Sequence, residues 1–152
     1  MSRIQRRATR TDLASIVSLL REDELGQTRE CDGSELDMRY IEAFNRIDAD
    51  PNQYLMVEVE ADELVGTCHL TMMPSLTFTG TTRLQIEGVR VKESCRGQKI
   101  GEWMMQEAIQ YGKSKGASII QLTTNLERPR AKSFYERLGF VSSHVGMKLS
   151  RN

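Results

Sequence analysis

The chain has 152 residues, of which 28% are charged, and its formal net charge is +0. This length suits one domain with one core. The balanced charge gives no overall basic field of the kind that attracts nucleic acid, and no apolar run approaches the length of a membrane span. Three widely spaced cysteines without a C-x-x-C pair favour neither a disulfide framework nor a zinc site. We expect a single domain over residues 1–152, a cytoplasmic location, and neither nucleic-acid nor membrane partners.

The N-terminal half of the chain changes from helical to strand periodicity. Apolar residues from Leu13 to Leu20 recur at helical spacing, and Ser34 is a candidate cap for a second helix. Two strand-like segments flank Asp62, which predicts a tight hairpin. The predicted elements are a strand over 3–9, helices over 11–25 and 34–47, a polar loop over 26–33, and strands over 53–61 and 63–73.

The C-terminal half alternates strands with helices. Gly116 lies just past a long helical pattern, and a shorter pattern has Pro129 in its first turn and Gly139 at its end. The predicted elements are a loop over 74–82, strands over 83–91 and 118–124, helices over 100–116 and 128–139, and a strand-like segment over 140–150 interrupted at Gly146. This order predicts a mixed α/β domain around one sheet.

The segment ESCRGQKIGEWMM, residues 93–105, places Gly97 and Gly101 where a helix begins. The first N–H groups of a helix lack internal partners and carry partial positive charge, and glycine lets the backbone approach a ligand. A phosphate or pyrophosphate is the natural occupant. A P-loop would need Lys and then Ser or Thr after the last glycine, where this chain has Glu102 and Trp103, and a dinucleotide fingerprint would need a third glycine. The segment predicts a phosphate site, and an ordinary strand-to-helix turn stays the alternative.

The longer segment VRVKESCRGQKIGEWMM resembles motif A of the GNAT superfamily of N-acetyltransferases, which reads R/Q-x-x-G-x-G/A after a central strand. Arg96 matches the first position and Gly101 the last. Lys99 stands where the family has its middle glycine, so the role of that position is open.

A second segment, RAKSFYERLGF over residues 130–140, is similar to the family's A-x-x-F/Y-Y-x-x-x-G-F pattern. Arg128 stands where the family often has asparagine, although Asn125 lies nearby. The C-terminal third is also similar to aminoalkylphosphonate N-acetyltransferases within the superfamily. Two motifs in the family's order, together with the order of elements, extend the resemblance over essentially the whole chain.

The resemblance implies a GNAT-like acyl-CoA N-acyltransferase fold. Its central sheet is mostly antiparallel and partly parallel, with about six to seven strands flanked by about four helices. It implies an enzyme that moves an acetyl group from acetyl-CoA to a primary amine of a small molecule or peptide by direct attack on the thioester. No metal is expected, and a homodimer is left open. A non-catalytic acyl-CoA or nucleotide-binding module is the alternative.

The resemblance also indicates how the cofactor is held. Backbone N–H groups of residues 97–102 would grip the pyrophosphate, helped by Arg96 and Lys99. The free backbone groups of residues 89–91, where the family's central strand separates from its neighbour, would bind the pantetheine arm and the oxyanion. The full predicted cofactor set is Val89, Arg90, Val91, Arg96, Gly97, Gln98, Lys99, Ile100, Gly101, Glu102, Asn125 and Lys132.

Two residues are predicted to be catalytic. Tyr135 matches the family's tyrosine, which gives the departing thiolate a proton or a hydrogen bond; its alternative role is core packing. Glu87 is the predicted base for the amine, because it shares strand parity with Val89 and Val91 and would face the cofactor side. A bulge would undo that parity argument. A solvated glutamate, a histidine (His69 or His144) and a water relay are the alternatives.

The acceptor amine is expected to bind among the first two helices, their loop and the PSLTFTG loop. Residues 22–37 carry seven acidic side chains, which would favour a cationic amine. Arg29 and Arg39 would instead suit an aminophosphonate. The sequence leaves both acceptors open.

Overall fold

The computed structural model describes residues 2–22, 24–30 and 35–151. Within these residues, five strands form one sheet: β1 (Arg3–Arg7), β2 (Gln53–Glu60), β3 (Glu63–Pro74), β4 (Thr82–Val91) and β5 (Ile119–Leu122). The helices are α1 (Leu13–Arg21), α2 (Glu24–Arg29), α3 (Met38–Ala49), α4 (Thr77–Gly80), α5 (Ile100–Ser114) and α6 (Pro129–Arg137). Short 3-10 turns cover Arg10–Asp12 and Glu93–Cys95.

The strands follow one another across the sheet in chain order, from β1 to β5. The first four are antiparallel, and β5 pairs parallel with β4 because α5 carries the chain back across the sheet. The predicted mixed sheet, mostly antiparallel and partly parallel, is therefore confirmed. Ala61 and Asp62 both have left-handed backbone angles, with φ of 51° and 61°, as a tight two-residue hairpin turn requires.

The predicted strand count was too high, and the difference lies at the C-terminus. Residues 140–151 contain no strand in the structure, although 140–150 has an alternating pattern. Val145, Met147 and Leu149 are 87%, 90% and 92% exposed, so the alternating apolar side chains face no second layer. A strand is stable only when a neighbour pairs with its backbone and a core covers one face.

Three local predictions need correction. The polar segment expected to be a loop over 26–33 begins with the end of α2. Helix α3 begins at Met38 and its cap is Asp37, whose side chain accepts a hydrogen bond from the Arg39 N–H; Ser34, the expected cap, lies outside the described residues. The expected loop over 74–82 includes the single turn α4, in which two residues have left-handed backbone angles.

The sheet has two covered faces. On the α5 face, Met104, Met105 and Ala108 of α5 pack against strand residues such as Leu70 and Ile86. On the α1 face, a second cluster joins α1, α3 and β2. Its buried members are Ala8, Leu13, Ile16, Val17, Phe44 and Val57.

Candidate active site

The sheet opens at the C-terminal end of β4. The parallel ladder between β4 and β5 ends at the pair Ile86 and Leu122. Beyond it, β4 continues to Val91 while remaining paired on its other side with β3. The edge of β4 that faces β5 therefore has no strand partner over residues 87–91 within the described part of the chain. Extended backbone of this kind can bind the amides of a linear ligand.

A β-bulge at Gly88 divides this open segment between the two faces of the sheet. Arg90 lies opposite Thr67 and Glu87 lies opposite His69, so three steps along β4 match two along β3. Gly88 has a φ of +60°, which glycine adopts at little cost.

The bulge reverses the alternation of side chains after Glu87. Val89 and Val91 pack against the α5-face cluster. Glu87 and its partner His69 instead lie on the α1 face. Leu55, which lies opposite His69 on β2, packs against the α1-face cluster and so marks that face. The prediction that Glu87 shares the face of Val89 and Val91 is therefore wrong, and the bulge is the reason.

The glycine segment forms the N-terminus of α5. Gly97 has a φ of +84°, and Lys99 has a φ of +65° as the N-cap residue. The first hydrogen bond across this start runs from the Trp103 N–H to the Lys99 carbonyl at 3.0 Å, so the N–H groups of residues 100–102 lie beyond it at the open end. Arg96, Gly97, Gln98 and Lys99 are exposed. Together these features form an electropositive, accessible end suited to an anion.

Lys99 has a left-handed backbone conformation, which glycine adopts more readily than any other residue. A left-handed angle is costly for a residue with a Cβ atom, at about 1–2 kcal/mol. The loop has this geometry although the residue is a lysine, and the exposed side chain adds a positive charge beside the helix end.

Gly101 and Ile100 fix the helix start against its neighbours. A Cβ atom at Gly101 would lie 3.4 Å from both Phe134 and Val91, so this glycine allows α5 to approach α6 and β4. Ile100 is 1% exposed and contacts the Gly66 position on β3. Glu102 is an exposed acid in the first turn, where it complements the helix dipole.

Tyr135 lies on α6 among aromatic side chains of the α5 face. Its ring centre is 5.3 Å from that of Phe134 and 6.0 Å from that of Phe140. Burial raises the pKa of the Tyr135 hydroxyl above its usual value, with Arg90 acting in the opposite direction. The hydroxyl is therefore protonated at neutral pH and can donate a hydrogen bond.

The other two predicted cofactor residues flank α6. The Asn125 side-chain oxygen Oδ1 accepts a hydrogen bond from the Glu127 N–H at 2.8 Å. The main-chain carbonyl of Asn125 accepts one from the Arg128 N–H at 2.9 Å. Asn125 thus shapes the turn before α6, and its amide NH₂ group is the part suited to a ligand. Lys132 is exposed on α6.

Glu87 is paired with a histidine that the sequence ranked low. The Glu87 Oε1 lies 3.9 Å from the His69 Nδ1, and the two side chains are 57% and 21% exposed. The His69 Nε2 lies 2.5 Å from the Gln53 Oε1, which also accepts a hydrogen bond from the Thr71 hydroxyl. An amide oxygen only accepts, so Nε2 carries a proton and Nδ1 faces Glu87.

Burial lowers the pKa of His69, and the carboxylate of Glu87 opposes that shift. Neutral His69 therefore predominates at physiological pH, with Nδ1 able to accept a proton. The other histidine, His144, is exposed in the C-terminal segment beside Ser143. The hairpin turn at Asp62 sets β2 against β3 and so brings Gln53 near His69, whereas the pairing of β3 with β4 brings His69 beside Glu87.

A pocket of about 200 Å³ lies over the α1 face and reaches Glu87, Gly88 and His69. Most of its wall is apolar and comes from α1, α3 and β2. The sequence predicted that the acceptor binds near these helices, but it gave no sign that the wall is apolar.

Three of the seven acidic residues expected to attract a cationic amine are engaged elsewhere, and Glu35 is exposed. Glu30 accepts a hydrogen bond from the Tyr40 hydroxyl at 2.7 Å, and Glu22 accepts one from the Glu93 N–H at 3.0 Å. Asp37 caps α3 and pairs with Arg39. Asp23, Asp32 and the side chains of Glu24 and Arg29 lie outside what the structure describes.

Two general findings concern the described residues. They contain no group of three or more His, Cys, Asp or Glu side chains placed to hold a metal ion. None of their helices is long and apolar enough to span a membrane.

The family model for the Acetyltransferase (GNAT) family matches residues 14–140. The chain belongs to this family. The matched range contains the open β4 edge, the α5 N-terminus and Tyr135.

Curated relatives cover part of the chain. An aminoalkylphosphonate N-acetyltransferase of Salmonella typhimurium is 33% identical over 95 residues, which are 62% of this chain and 61% of that enzyme. A glucosamine 6-phosphate N-acetyltransferase of Trypanosoma brucei brucei is 30% identical over 57% of this chain and 56% of its own length. The chain thus spans about three fifths of the length of these two curated relatives.

Solved structures match the whole chain. A protein described as a transcriptional regulator from Bacillus halodurans C-125 is 41% identical, with a TM-score of 0.96 over 99% of this chain and all of that one. A predicted acetyltransferase with acetyl-CoA from Clostridium acetobutylicum has a TM-score of 0.76 at 18% identity, over 98% of this chain and 96% of that one. The second match shows the fold alone.

Proposed function

We propose that this protein is an acetyl-CoA-dependent N-acetyltransferase that acetylates a primary amine by direct attack on the thioester. The observation that carries the proposal is the open edge of β4. This edge extends from near the N-terminus of α5, which is suited to an anion. Tyr135 lies on the α5 face of the sheet, and Glu87 and His69 lie on the α1 face. Membership of the GNAT family and the acetyltransferase names of the relatives support this function.

The cofactor would extend from the N-terminus of α5 along β4. The N–H groups of residues 97–102, with the charges of Arg96 and Lys99, suit the pyrophosphate. The unpaired backbone of residues 89–91 suits the amides of the pantetheine arm. Asn125 and Lys132 on the α6 side would complete the contacts.

Acetyl-CoA supplies the acetyl group when bound. In the transfer, the amine nitrogen forms a bond to the carbonyl carbon and the carbon–sulfur bond breaks. A backbone N–H of residues 89–91 would stabilise the negative charge on the carbonyl oxygen. Tyr135 would give the departing sulfur a hydrogen bond or a proton, because burial keeps its hydroxyl protonated.

Glu87 and His69 on the α1 face would remove the proton from the amine. An alkylammonium ion has a pKa near that of lysine, about 10.4, so a base or a water relay is needed near neutral pH. Glu87 and His69 lie side by side in the lining of the pocket. A proton that arrives on the His69 Nδ1 would then face the Glu87 carboxylate, which stabilises the protonated ring.

The test is release of free thiol from acetyl-CoA in the presence of primary amines, with the acetylated product confirmed by mass spectrometry. Amine-dependent thiol release at a constant protein concentration supports the enzyme. Coenzyme A binding without turnover of any amine would instead support a non-catalytic acyl-CoA-binding module. Assembly as a homodimer stays a prediction, and sedimentation of the same sample would test it.

A further inference from the structure

We propose that the acceptor is a primary amine with an apolar body, held between α1 and α3 with its amino group at Glu87 and His69. This inference rests on the proposed function and names its acceptor class. It departs from both acceptors that the sequence left open, a cationic amine held by an acidic loop and an aminophosphonate held by arginines.

The wall of the pocket is the first argument. Aliphatic and aromatic side chains of two helices and one strand form most of it, with Leu13, Ile16, Leu20, Phe44, Ile47 and Leu55 among them. Among the described residues that line it, none is a lysine or an arginine. A phosphate or phosphonate group would therefore enter without the cation that such groups need for charge-assisted hydrogen bonds.

The distribution of polar groups is the second argument. The Thr67 hydroxyl donates to the Met56 carbonyl at 2.9 Å, and the Tyr40 hydroxyl donates to the Glu30 Oε1 at 2.7 Å. These two lining groups are already engaged. The charged and basic groups that remain are Glu87 and His69, which lie together at the end next to the open β4 edge. One polar end and one apolar body match an amine in which charge and hydrocarbon are separated.

The size of the pocket is the third argument. An apolar cavity of about 150 Å³ can hold benzene. The volume here is about 200 Å³, which is enough for one aromatic ring or a comparable alkyl chain. The bound body would be short, because Leu13 and Leu20 on α1 and Ile47 on α3 all contribute to the same wall.

The experiment compares amines on the wild-type protein at saturating acetyl-CoA. The apolar arm contains 2-phenylethylamine and the n-alkylamines from ethylamine to hexylamine. The polar arms contain aminomethylphosphonate, glucosamine 6-phosphate and spermidine. We expect kcat/KM to rise by about tenfold or more along the alkyl series, since each methylene that enters an apolar pocket can contribute on that scale. We expect each polar acceptor to be slower than 2-phenylethylamine.

A matched pair of variants ties the preference to this pocket. Ala43 lines the pocket from an exposed position on α3, so Ala43→Trp should fill space without removing a core side chain. Ala49→Trp, at an exposed position on the same helix outside the lining, is the control. Ala43→Trp should raise the KM for 2-phenylethylamine about tenfold, with little change for ethylamine or acetyl-CoA. The control should match the wild type.

The outcomes separate this inference from the proposed function. Faster acetylation of aminomethylphosphonate, glucosamine 6-phosphate or spermidine than of every apolar amine overturns the inference and leaves the acetyltransferase standing. Thiol release from no amine, despite coenzyme A binding, overturns both. An equal effect of Ala43→Trp and Ala49→Trp on 2-phenylethylamine would place the apolar preference outside this pocket and contradict the inference.

Discussion

Two glutamates on opposite faces of one sheet differ in their exposure to solvent and in their charged neighbours. Glu58 of β2 lies on the α5 face, is fully buried and has the carboxyl group of Glu107 as a neighbour that raises its pKa. Glu87 of β4 lies on the α1 face, is 57% exposed and has a histidine as its neighbour. The two residue types are identical, and only their surroundings differ.

The surroundings decide which glutamate can act as a base. Burial is the main cause that raises the pKa of Glu58 to about 9, and the nearby Glu107 carboxyl is the second cause. Glu58 therefore holds its proton near neutral pH. Glu87 reaches solvent and the pocket, and its proton-accepting partner His69 is neutral under the same conditions. The α5 face therefore offers proton donors, Tyr135 among them, and the α1 face offers acceptors.

The largest expected effect tests the donor side. Tyr135→Phe should lower turnover by roughly 10- to 1000-fold, the range for losing one acid–base group, and leave coenzyme A affinity nearly unchanged. Tyr111→Phe on α5, which removes a hydroxyl from the same face, is the control and should be near wild type. Rates of thiol release and calorimetric titration with coenzyme A check both. An unchanged rate in Tyr135→Phe would reduce Tyr135 to a packing residue.

The next effect tests the acceptor side. Glu87→Gln keeps the shape of the side chain and removes its charge, so it should lower kcat/KM by about 10- to 100-fold. 

Glu87→Gln should also move the acidic limb of the pH–rate profile to lower pH. Glu87 raises the pKa of His69 against the effect of burial, so the loss of its charge lowers that pKa. Exposed Glu42→Gln on α3 is the control. Profiles of kcat/KM against pH that overlay for wild type and Glu87→Gln would assign deprotonation to another group or to water.

A smaller effect tests the buried glutamate by stability. Because the pKa of Glu58 is raised on folding, the folded state binds a proton that the unfolded state releases between the ordinary glutamate pKa of 4.5 and about 9. Its contribution to stability is therefore fully present below pH 4.5 and is lost as the pH rises through that window. Glu58→Gln keeps the shape of the side chain and does not titrate. It should match the wild type near pH 5 and raise the free energy of unfolding by about 1–3 kcal/mol near pH 8.

Urea unfolding at several pH values measures this difference. Glu42→Gln serves again as the exposed control for the substitution itself. A stability difference between Glu58→Gln and wild type that stays constant from pH 5 to pH 8 would contradict a proton held at Glu58.

The smallest effect concerns the loop at the N-terminus of α5, where Lys99 is the N-cap residue. Lys99→Ala removes an exposed charge and should weaken coenzyme A binding by about 1 kcal/mol, less at high salt. Lys99→Gly removes the same charge but suits the left-handed angle, so it should be more stable than Lys99→Ala by about 1 kcal/mol and bind no worse. Calorimetry at low and high salt, with thermal unfolding, checks both. Equal affinity for all three proteins at every salt concentration would leave Lys99 without a role in binding.

Local patterns in the sequence predicted most of the fold. The helical repeats, the hairpin at Asp62 and the paired glycines at the start of α5 depend on residues close together in the chain, so their periods and turn residues can be read directly. The same holds for the two motifs that carry the family resemblance, and the family match confirms that resemblance. The roles of Tyr135 and of the predicted cofactor residues stay predictions.

Only the tertiary structure decided how the site is divided. Strand parity placed Glu87 with Val89 and Val91, and one extra residue at Gly88 placed it on the other face. Three further features depend equally on contacts between distant segments. They are the position of His69 beside Glu87, the apolar wall of the pocket and the lack of a strand in residues 140–151. A single bulge reverses every side chain beyond it, because the strand period is two. A glycine within a strand, such as Gly88, is compatible with a bulge, but only the pairing of β4 with β3 shows that the register shifts there.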